Sequence, residues 1–334
     1  MCAWGSDFKS CKSLLDRASR NDPTLTSMTI LPMKTFTDAD LIRLSGIIAD
    51  GVNTHLNCFY ASGHNVSADA IEKFGEAMGV AAKNKNLVLT NVAFGGRTMG
   101  DDGVAAFVRG LERKCPVDGI NLLSLDLSAK NLTSRSLLLL SQSSSLCLLQ
   151  KLNLSDNNFS KLGQVFSETL QPSWKCLESI NFARCCVTPD DGQIIFDVLS
   201  ESTKLAELIL SGNSDLTKGV QHLSSLPGNV SSISLDKCNL SDHDLAMFCE
   251  CGISRKLQRL DLSDNGLKSM KVSDLINENG SMLLLEDLNL SNNKLSKSCL
   301  ECLASKLLTK GKYHFLCLCS NKKRFNFFFF VPSW

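Results

Sequence analysis

From Leu122 onward, apolar residues return at fixed intervals, in a pattern that neither a helix nor a strand would produce alone. Two leucines separated by one residue form the centre of each unit, an apolar residue stands three positions before them, and a polar turn follows. The clearest stretches read LQKLNLSDNNF (149–159), LQRLDLSDNGL (257–267) and LEDLNLSNNKL (285–295). Their alternating centre predicts a short strand with one buried face. A stretch with helical periodicity follows several copies, at 162–170, 190–199, 242–251 and 298–308. Seven copies begin at Leu122, Leu149, Leu177, Leu205, Val230, Leu257 and Leu285, with steps of 27, 28, 28, 25, 27 and 28 residues.

The template L-x-x-L-x-L-x-x-N/C-x-L is the signature of leucine-rich repeats. Strand plus helix at about 28 residues predicts an α/β leucine-rich-repeat solenoid, a ribonuclease-inhibitor-like horseshoe with parallel strands on the concave face and helices on the convex face. The ninth position holds Asn157, Asn213, Asn265 and Asn293, or Cys185 and Cys238. Turned inward, such a side chain bonds backbone groups left unpaired at the turn, fully for asparagine and more weakly for a thiol. Lys130 is off-pattern in that slot, and Asp215 displaces the last apolar position to Leu216, so both turns are expected to be irregular. Upstream, Leu56/Phe59/Ala61/His64/Val66 and Leu87/Leu89/Val92/Phe94 fit with substitutions, and Leu25/Met28/Ile30/Met33 fits poorly. Counted from Asn84, the step to Leu122 is 38 residues, which predicts a surplus loop near 113–121, where Cys115-Pro116 and Asp118-Gly119 occur. The organisation expected is a helical cap or leader at 1–24, a repeat domain of about ten repeats at 25–310, and a tail at 311–334.

That tail, KGKYHFLCLCSNKKRFNFFFFVPSW with its first lysine, carries neither an evident repeat nor a polar cap. Gly311-Lys312-Tyr313 can be encoded by a splice-donor consensus, and Phe327–Phe330 by a pyrimidine-rich tract. The tail is therefore read as translated intron, non-native or disordered. The array would then end uncapped near 283–308, with an exposed apolar face and poor solubility.

Composition narrows the function classes. The chain has 334 residues, 43% hydrophobic and 21% charged, with a formal net charge of +1. A length beyond one growing core suits a repeat array, and near-neutrality gives no global pull toward nucleic acid or anionic lipid. An odd count of 15 cysteines, many inside apolar repeat segments, points to thiols in a reducing compartment. The N-terminus reaches charge too soon for a secretory signal, and no uninterrupted apolar run is long enough to span a bilayer. Cytoplasmic localisation follows.

A search for chemistry finds no catalytic constellation, cofactor motif or complete metal set. The histidines are scattered, and Ser241-Asp242-His243-Asp244 reads as helix capping. Cys299-x-x-Cys302 and Cys249-x-Cys251 lack a second ligand pair. The glycine stretch 95–103 lacks the Gly-Lys-Ser/Thr of a phosphate loop, and the calcium-like start at Asp261 has Val272 where a glutamate is needed. What remains is a surface. Variable positions between the buried leucines should point out of the concave face: Lys151, Asp156, Arg184, Glu207, Lys237, Arg259, Asp264, Glu286 and Asp287. Their interleaved signs argue against a phosphate-tracking groove and for a protein partner, with acidic character growing toward the C-terminal repeats.

Three stretches carry a closer resemblance: 36–52 (FTDADLIRLSGIIADGV), 67–78 (SADAIEKFGEAM) and the shortened repeat at 226–242 (LPGNVSSISLDKCNLSD), followed by LDLS and LNLS copies. Over roughly 24–308 the chain resembles the repeat region of the CARMIL family of actin capping-protein regulators. That family's lipid-binding N-terminal domain and capping-protein-binding segment are absent from this sequence, and one early repeat is extra, so no family site residue transfers. The resemblance implies a scaffold for actin filament assembly at the cell cortex or plasma membrane, with the repeats binding protein. Alternatives are a Tonsoku-like genome-maintenance module and a ribonuclease-inhibitor-type enzyme inhibitor.

Overall fold

In a computed structural model of the protein, the described residues are 10–164, 174–268, 284–310, 315–318 and 328–330. The chain divides into two compact units, residues 1–159 with 165–177, and residues 160–164 with 178–334.

The first unit stacks five parallel strands, β1 (Ser27–Thr29), β2 (Cys58–Ser62), β3 (Asn91–Gly95), β4 (Ser124–Asp126) and β5 (Lys151–Asn153), each paired with the next. Register aligns Met28, Phe59, Val92, Leu125 and Leu152, so one buried residue per strand meets the next down the stack. Helices return the chain between strands: α2 (Asp38–Ala49), α3 (Ala68–Lys83), α4 (Gly100–Lys114) and α5 (Ser134–Gln142), preceded by α1 (Lys12–Ser19), which buries Leu15 and Ala18. A chain of phenylalanine rings fills the space between sheet and helices. Phe36, Phe59, Phe74, Phe94 and Phe107 approach one another with centroids 5.0–6.2 Å apart, mostly tilted or edge-on, the arrangement favoured by the aromatic quadrupole. Glycines let α3 and α4 touch: a Cβ on Gly75 would lie 2.5 Å from the Phe107 carbonyl oxygen, and one on Gly79 2.8 Å from that of Leu111.

The second unit stacks β6 (Ser179–Asn181), β7 (Glu207–Ile209), β8 (Ser232–Ser234), β9 (Arg259–Asp261), β10 (Asp287–Asn289) and β11 (Phe315–Cys317) in parallel, and β12 (Phe328–Phe330) pairs antiparallel with β11. Ile180, Leu208, Ile233, Leu260 and Leu288 are the aligned buried residues. Helices α6 (Pro189–Leu199), α7 (Asp242–Glu250) and α8 (Lys297–Lys310) lie between strands. Thr188 and Ser241 cap α6 and α7, and Asp191 and Asp244 reach back to the cap N–H groups at 3.2 and 2.8 Å. The 25-residue step from Leu205 to Val230 is accommodated by a tighter 3₁₀ segment, Leu216–Ser225, in place of an α-helix.

The fold departs from several of the expectations drawn from the sequence. Asn91 pairs with Ser124, so the third copy starts at Leu89 rather than near Asn84. The starts Leu25, Leu56, Leu89 and Leu122 are 31, 33 and 33 residues apart, and the long helices α2, α3 and α4 take up that length instead of a surplus loop. The turn at Lys130 is regular: Ala129 has the left-handed φ of 55° shared by the later turns, and Lys130 N donates to Asn157 Oδ1 at 3.0 Å. Asn213 keeps its full set of bonds although Asp215 displaces the apolar position, and Leu216 is buried in its place. Strand β11 lies inside the 311–334 segment: Leu316 aligns with Leu288, and Cys317 and Leu318 are buried. In sequence, Tyr313, Leu316, Leu318 and Asn321 repeat Leu285, Leu288, Leu290 and Asn293 at a step of 28, so the template does run past Gly311. Most of the helix expected at 162–170 lies outside the described residues; Leu162–Gln164 is a 3₁₀ turn.

Candidate protein-binding face

Counting each repeat's first apolar residue as position 1, positions 1, 4 and 6 are core and position 9 is the inward slot. The slot is built around asparagine. Asn157 Oδ1 accepts from Lys130 N and Leu132 N, both at 3.0 Å, while its Nδ2 donates to Leu127 O at 2.9 Å and Leu154 O at 2.8 Å. Asn213 does the same for Cys185 N, Val187 N, Phe182 O and Leu210 O, at 2.7–3.1 Å. Asn265 bonds Cys238 N, Leu240 N, Leu235 O and Leu262 O, and Asn293 bonds Leu267 N, Leu262 O and Leu290 O. Each side chain thus ties its own repeat to the one before it. Cys185 Sγ lies 3.4 Å from Ala183 O, and Cys238 Sγ lies 3.3 Å from Leu210 O. Burial pushes the Cys238 thiol up to about 11, so it remains a protonated donor at neutral pH.

Two residues of a different kind fill the slot in the first unit. His64 Nε2 lies 3.2 Å from Ile30 O, which places a proton on Nε2, since a carbonyl can only accept. The Lys130 side chain is 3% exposed, and burial lowers the basicity of its ammonium, with Asp126 partly opposing this.

Position 8 turns the chain in a left-handed conformation. Ala129, Asp156, Arg184, Gly212, Lys237, Asp264 and Asn292 all have φ between 54° and 73°. Four of the nine residues expected on the face, Asp156, Arg184, Lys237 and Asp264, therefore sit on this exposed turn rather than on a strand. Lys151, Glu207, Arg259 and Asp287 occupy position 3, the first residue of β5, β7, β9 and β10, and point to the open side of the sheet. Glu286 is exposed one residue earlier.

Within the second unit, register brings Glu207, Ser232, Arg259 and Asp287 into one transverse row. Glu207 Oε2 accepts from Ser179 Oγ at 2.6 Å; among the described residues neither it, Arg259 nor Asp287 enters an ion pair.

A second row on the same face was not anticipated. Position 5, the residue between the two core leucines, holds Asp126, Asn153, Asn181, Ile209, Ser234, Asp261 and Asn289, all half-buried. Most are turn-forming: Asn153, Asn181, Asp261 and Asn289 each accept the N–H two residues on, at 2.8–3.1 Å. Asn153 also donates to Asp126 and Asn289 to Asp261 across neighbouring strands, at 3.1 and 2.9 Å. The recurring Asn or Asp inside L-x-L was the available signal.

Positions 3 and 5 of β7–β10 enclose a shallow depression of about 290 Å³, lined by Glu207, Ser232, Ser234, Arg259, Asp261 and Asp287 among others. Strand β8 contributes two serines to it, Ser232 and Ser234, where the position-3 neighbours Glu207 and Arg259 carry longer side chains. No helix among the described residues is long and apolar enough to cross a membrane.

No family model matches the chain. Mouse ribonuclease inhibitor is 27% identical over 202 residues, covering 58% of this chain and 43% of that protein. Mouse NACHT, LRR and PYD domains-containing protein 5 is 27% identical over 254 residues, covering 73% of this chain and 21% of that protein. The chain thus spans less than half the length of these curated relatives. Among solved structures, an internalin (InlF) of Listeria monocytogenes aligns over 93% of this chain and 87% of its own, at 14% identity and a TM-score of 0.43. TLR13 in a complex with ssRNA13 aligns over 81% and 37%, at 18% identity and a TM-score of 0.47. The two curated relatives support a leucine-rich-repeat protein.

Proposed function

We propose that this chain is a protein-binding scaffold whose partner lies on the open face of the strands. One observation carries the reading: the position-3 charges of the second unit are held in a row by the sheet register and enter no ion pair among the described residues, whereas the inward side of the same strands and turns is occupied by core and ladder. Charges arranged this way give a partner register and specificity. The test is capture of partners on the full chain against a triple charge reversal at Lys151, Arg184 and Arg259, with bound proteins identified by mass spectrometry. Loss of a specific partner in the variant is expected; identical capture overturns the reading.

Two partner classes follow from two different likenesses. The similarity to mouse ribonuclease inhibitor supports an enzyme as the bound protein and inhibition as the outcome. The resemblance of 36–52, 67–78 and 226–242 to CARMIL repeats supports an actin-regulatory partner in the cytoplasm, at the cell cortex. The inhibitor reading predicts that the chain slows RNA hydrolysis by a ribonuclease. The actin reading predicts an altered rate of filament-end elongation in the presence of capping protein.

A further inference from the structure

Resting on that reading of the face, we propose that the partner docks on the second unit through a basic segment, an arginine side chain of which seats in the depression over β8. Neighbouring strands are about 4.8 Å apart, so Glu207 and Arg259 flank Ser232 with backbones roughly 10 Å from each other, and the small serine leaves the space between them open. The depression presents three carboxylates, Glu207, Asp261 and Asp287, against one guanidinium, Arg259.

Two of the carboxylates are held in place before any partner arrives. Asp261 Oδ1 accepts from Ser263 N at 2.9 Å and Ser263 Oγ at 2.7 Å, and its Oδ2 accepts from Asn289 Nδ2 at 2.9 Å. Glu207 is fixed by Ser179. Asp261 Oδ1 is filled by its two donors, but Asp261 Oδ2 and the Glu207 carboxylate keep lone pairs for a further donor, so both groups remain pre-oriented acceptors. The hydroxyls of Ser232 and Ser234 in the lining can accept as well, and Ile209, the apolar member of the position-5 row, is the register neighbour of Ser234.

A guanidinium suits this set better than an ammonium. Its planar fork of N–H donors can reach separated acceptors at once, and its methylene stem can lie against Ile209. Arg259 stands beside the seat, where it can pair with a carboxylate that follows the anchor in the partner. The excess of carboxylates disfavours phosphate and therefore nucleic acid.

The experiment is fluorescence anisotropy of labelled hexa-arginine, hexa-glutamate and an uncharged Gly-Ser peptide on the full chain. Variants are Ser232→Trp, which fills the depression from a half-buried position on the open face, and Glu207→Gln with Asp287→Asn. Thermal melts check that each variant is folded. Binding of hexa-arginine but not the other two peptides is expected, about tenfold or more weaker in either variant, the scale on which interfacial charge pairs couple. Lys73→Glu, exposed on α3 of the first unit, should leave it unchanged. Equal binding of the acidic peptide, or hexa-arginine binding that survives both variants, overturns the anchor. If the charge-reversed chain loses its partner while Ser232→Trp keeps it, the docking face stands and the arginine seat alone falls; if neither variant alters capture, both fall.

Discussion

The two units solve the same stacking problem with different materials. In the first, repeats of up to 33 residues carry full α-helices, phenylalanine rings pack between helix and sheet, and the ladder slot accepts His64 and Lys130. In the second, repeats of 25–28 residues return through helices of 9–14 residues or 3₁₀ turns, the core is mostly aliphatic, and asparagine or cysteine occupies the slot. Ring packing is tolerant of what fills the turn; a thin repeat depends on the hydrogen bonds of its ladder. The open faces differ in the same direction. Position 3 reads Ser27, Cys58, Asn91, Ser124 and Lys151 in the first unit, and Ser179, Glu207, Ser232, Arg259 and Asp287 in the second. The charged rows belong to the unit with the shorter repeats.

Asn213→Leu should break the contrast most visibly. It orphans two buried N–H groups and two carbonyls, each costing roughly 1–3 kcal/mol, so the second unit should lose several kcal/mol. Hydrogen exchange would read this as lost protection around 182–210 with the first unit spared. Equal loss in both units would mean that the contrast is false. Next is Gly75→Ala in α3, where the new methyl meets backbone rather than a yielding side chain. Overpacking of this kind costs about 1–3 kcal/mol, and protection should fall in α3 and α4.

Lys130→Asn tests whether the first unit merely tolerates its slot. Restoring an amide there should raise stability by about 1 kcal/mol, the net worth of a hydrogen bond. The pH dependence has a definite sign. Burial disfavours the charged form of Lys130 in the folded state, so the unfolded chain binds more protons there, and stability rises with pH between the lowered native value and the ordinary value of 10.5. Denaturation followed from neutral to alkaline pH should show that rise in the natural protein relative to Lys130→Asn. Parallel curves would remove Lys130 from the account. The smallest change is Lys237→Gly at φ 54°, which exchanges left-handed strain of about 1–2 kcal/mol for the greater freedom of glycine in the unfolded chain, a net gain of a few tenths. The melting temperature should rise slightly, and a fall would show that the lysine side chain contributes contacts of its own.

Much of this contrast was legible in the sequence, but unevenly. Leucine-rich copies from Leu122 onward gave strand and ladder positions directly. The first unit was harder because Phe59, Val92 and Phe94 do the work of leucine, and because His64 and Lys130 hide the slot that asparagine advertises. Matching residue identity rather than burial also set the third copy five residues early and passed over Leu316 and Leu318. On the face, position-3 charges were identifiable from the alternation, whereas the left-handed turn at position 8 was not, since Arg184 and Lys237 are poor signals for it. The depression over β8 needed the register, which no single repeat contains.

Length is distributed unequally within every repeat. Between positions 1 and 6 the spacing is constant from Leu56 to Leu290, and the inward slot follows three residues later in every copy but the one at Leu89, where Arg97 is exposed; the return limb ranges freely enough to make repeats of 25 to 33 residues. Insertions on the helical side change how far the chain travels before rejoining the sheet, but one residue added between positions 4 and 9 would invert the strand and detach its amide from two repeats at once. Epitope tags, reporter loops and crosslinking sites should therefore be grafted into the return limbs, and drift in such genes should accumulate there as gained or lost codons while the nine-residue segment changes by substitution alone.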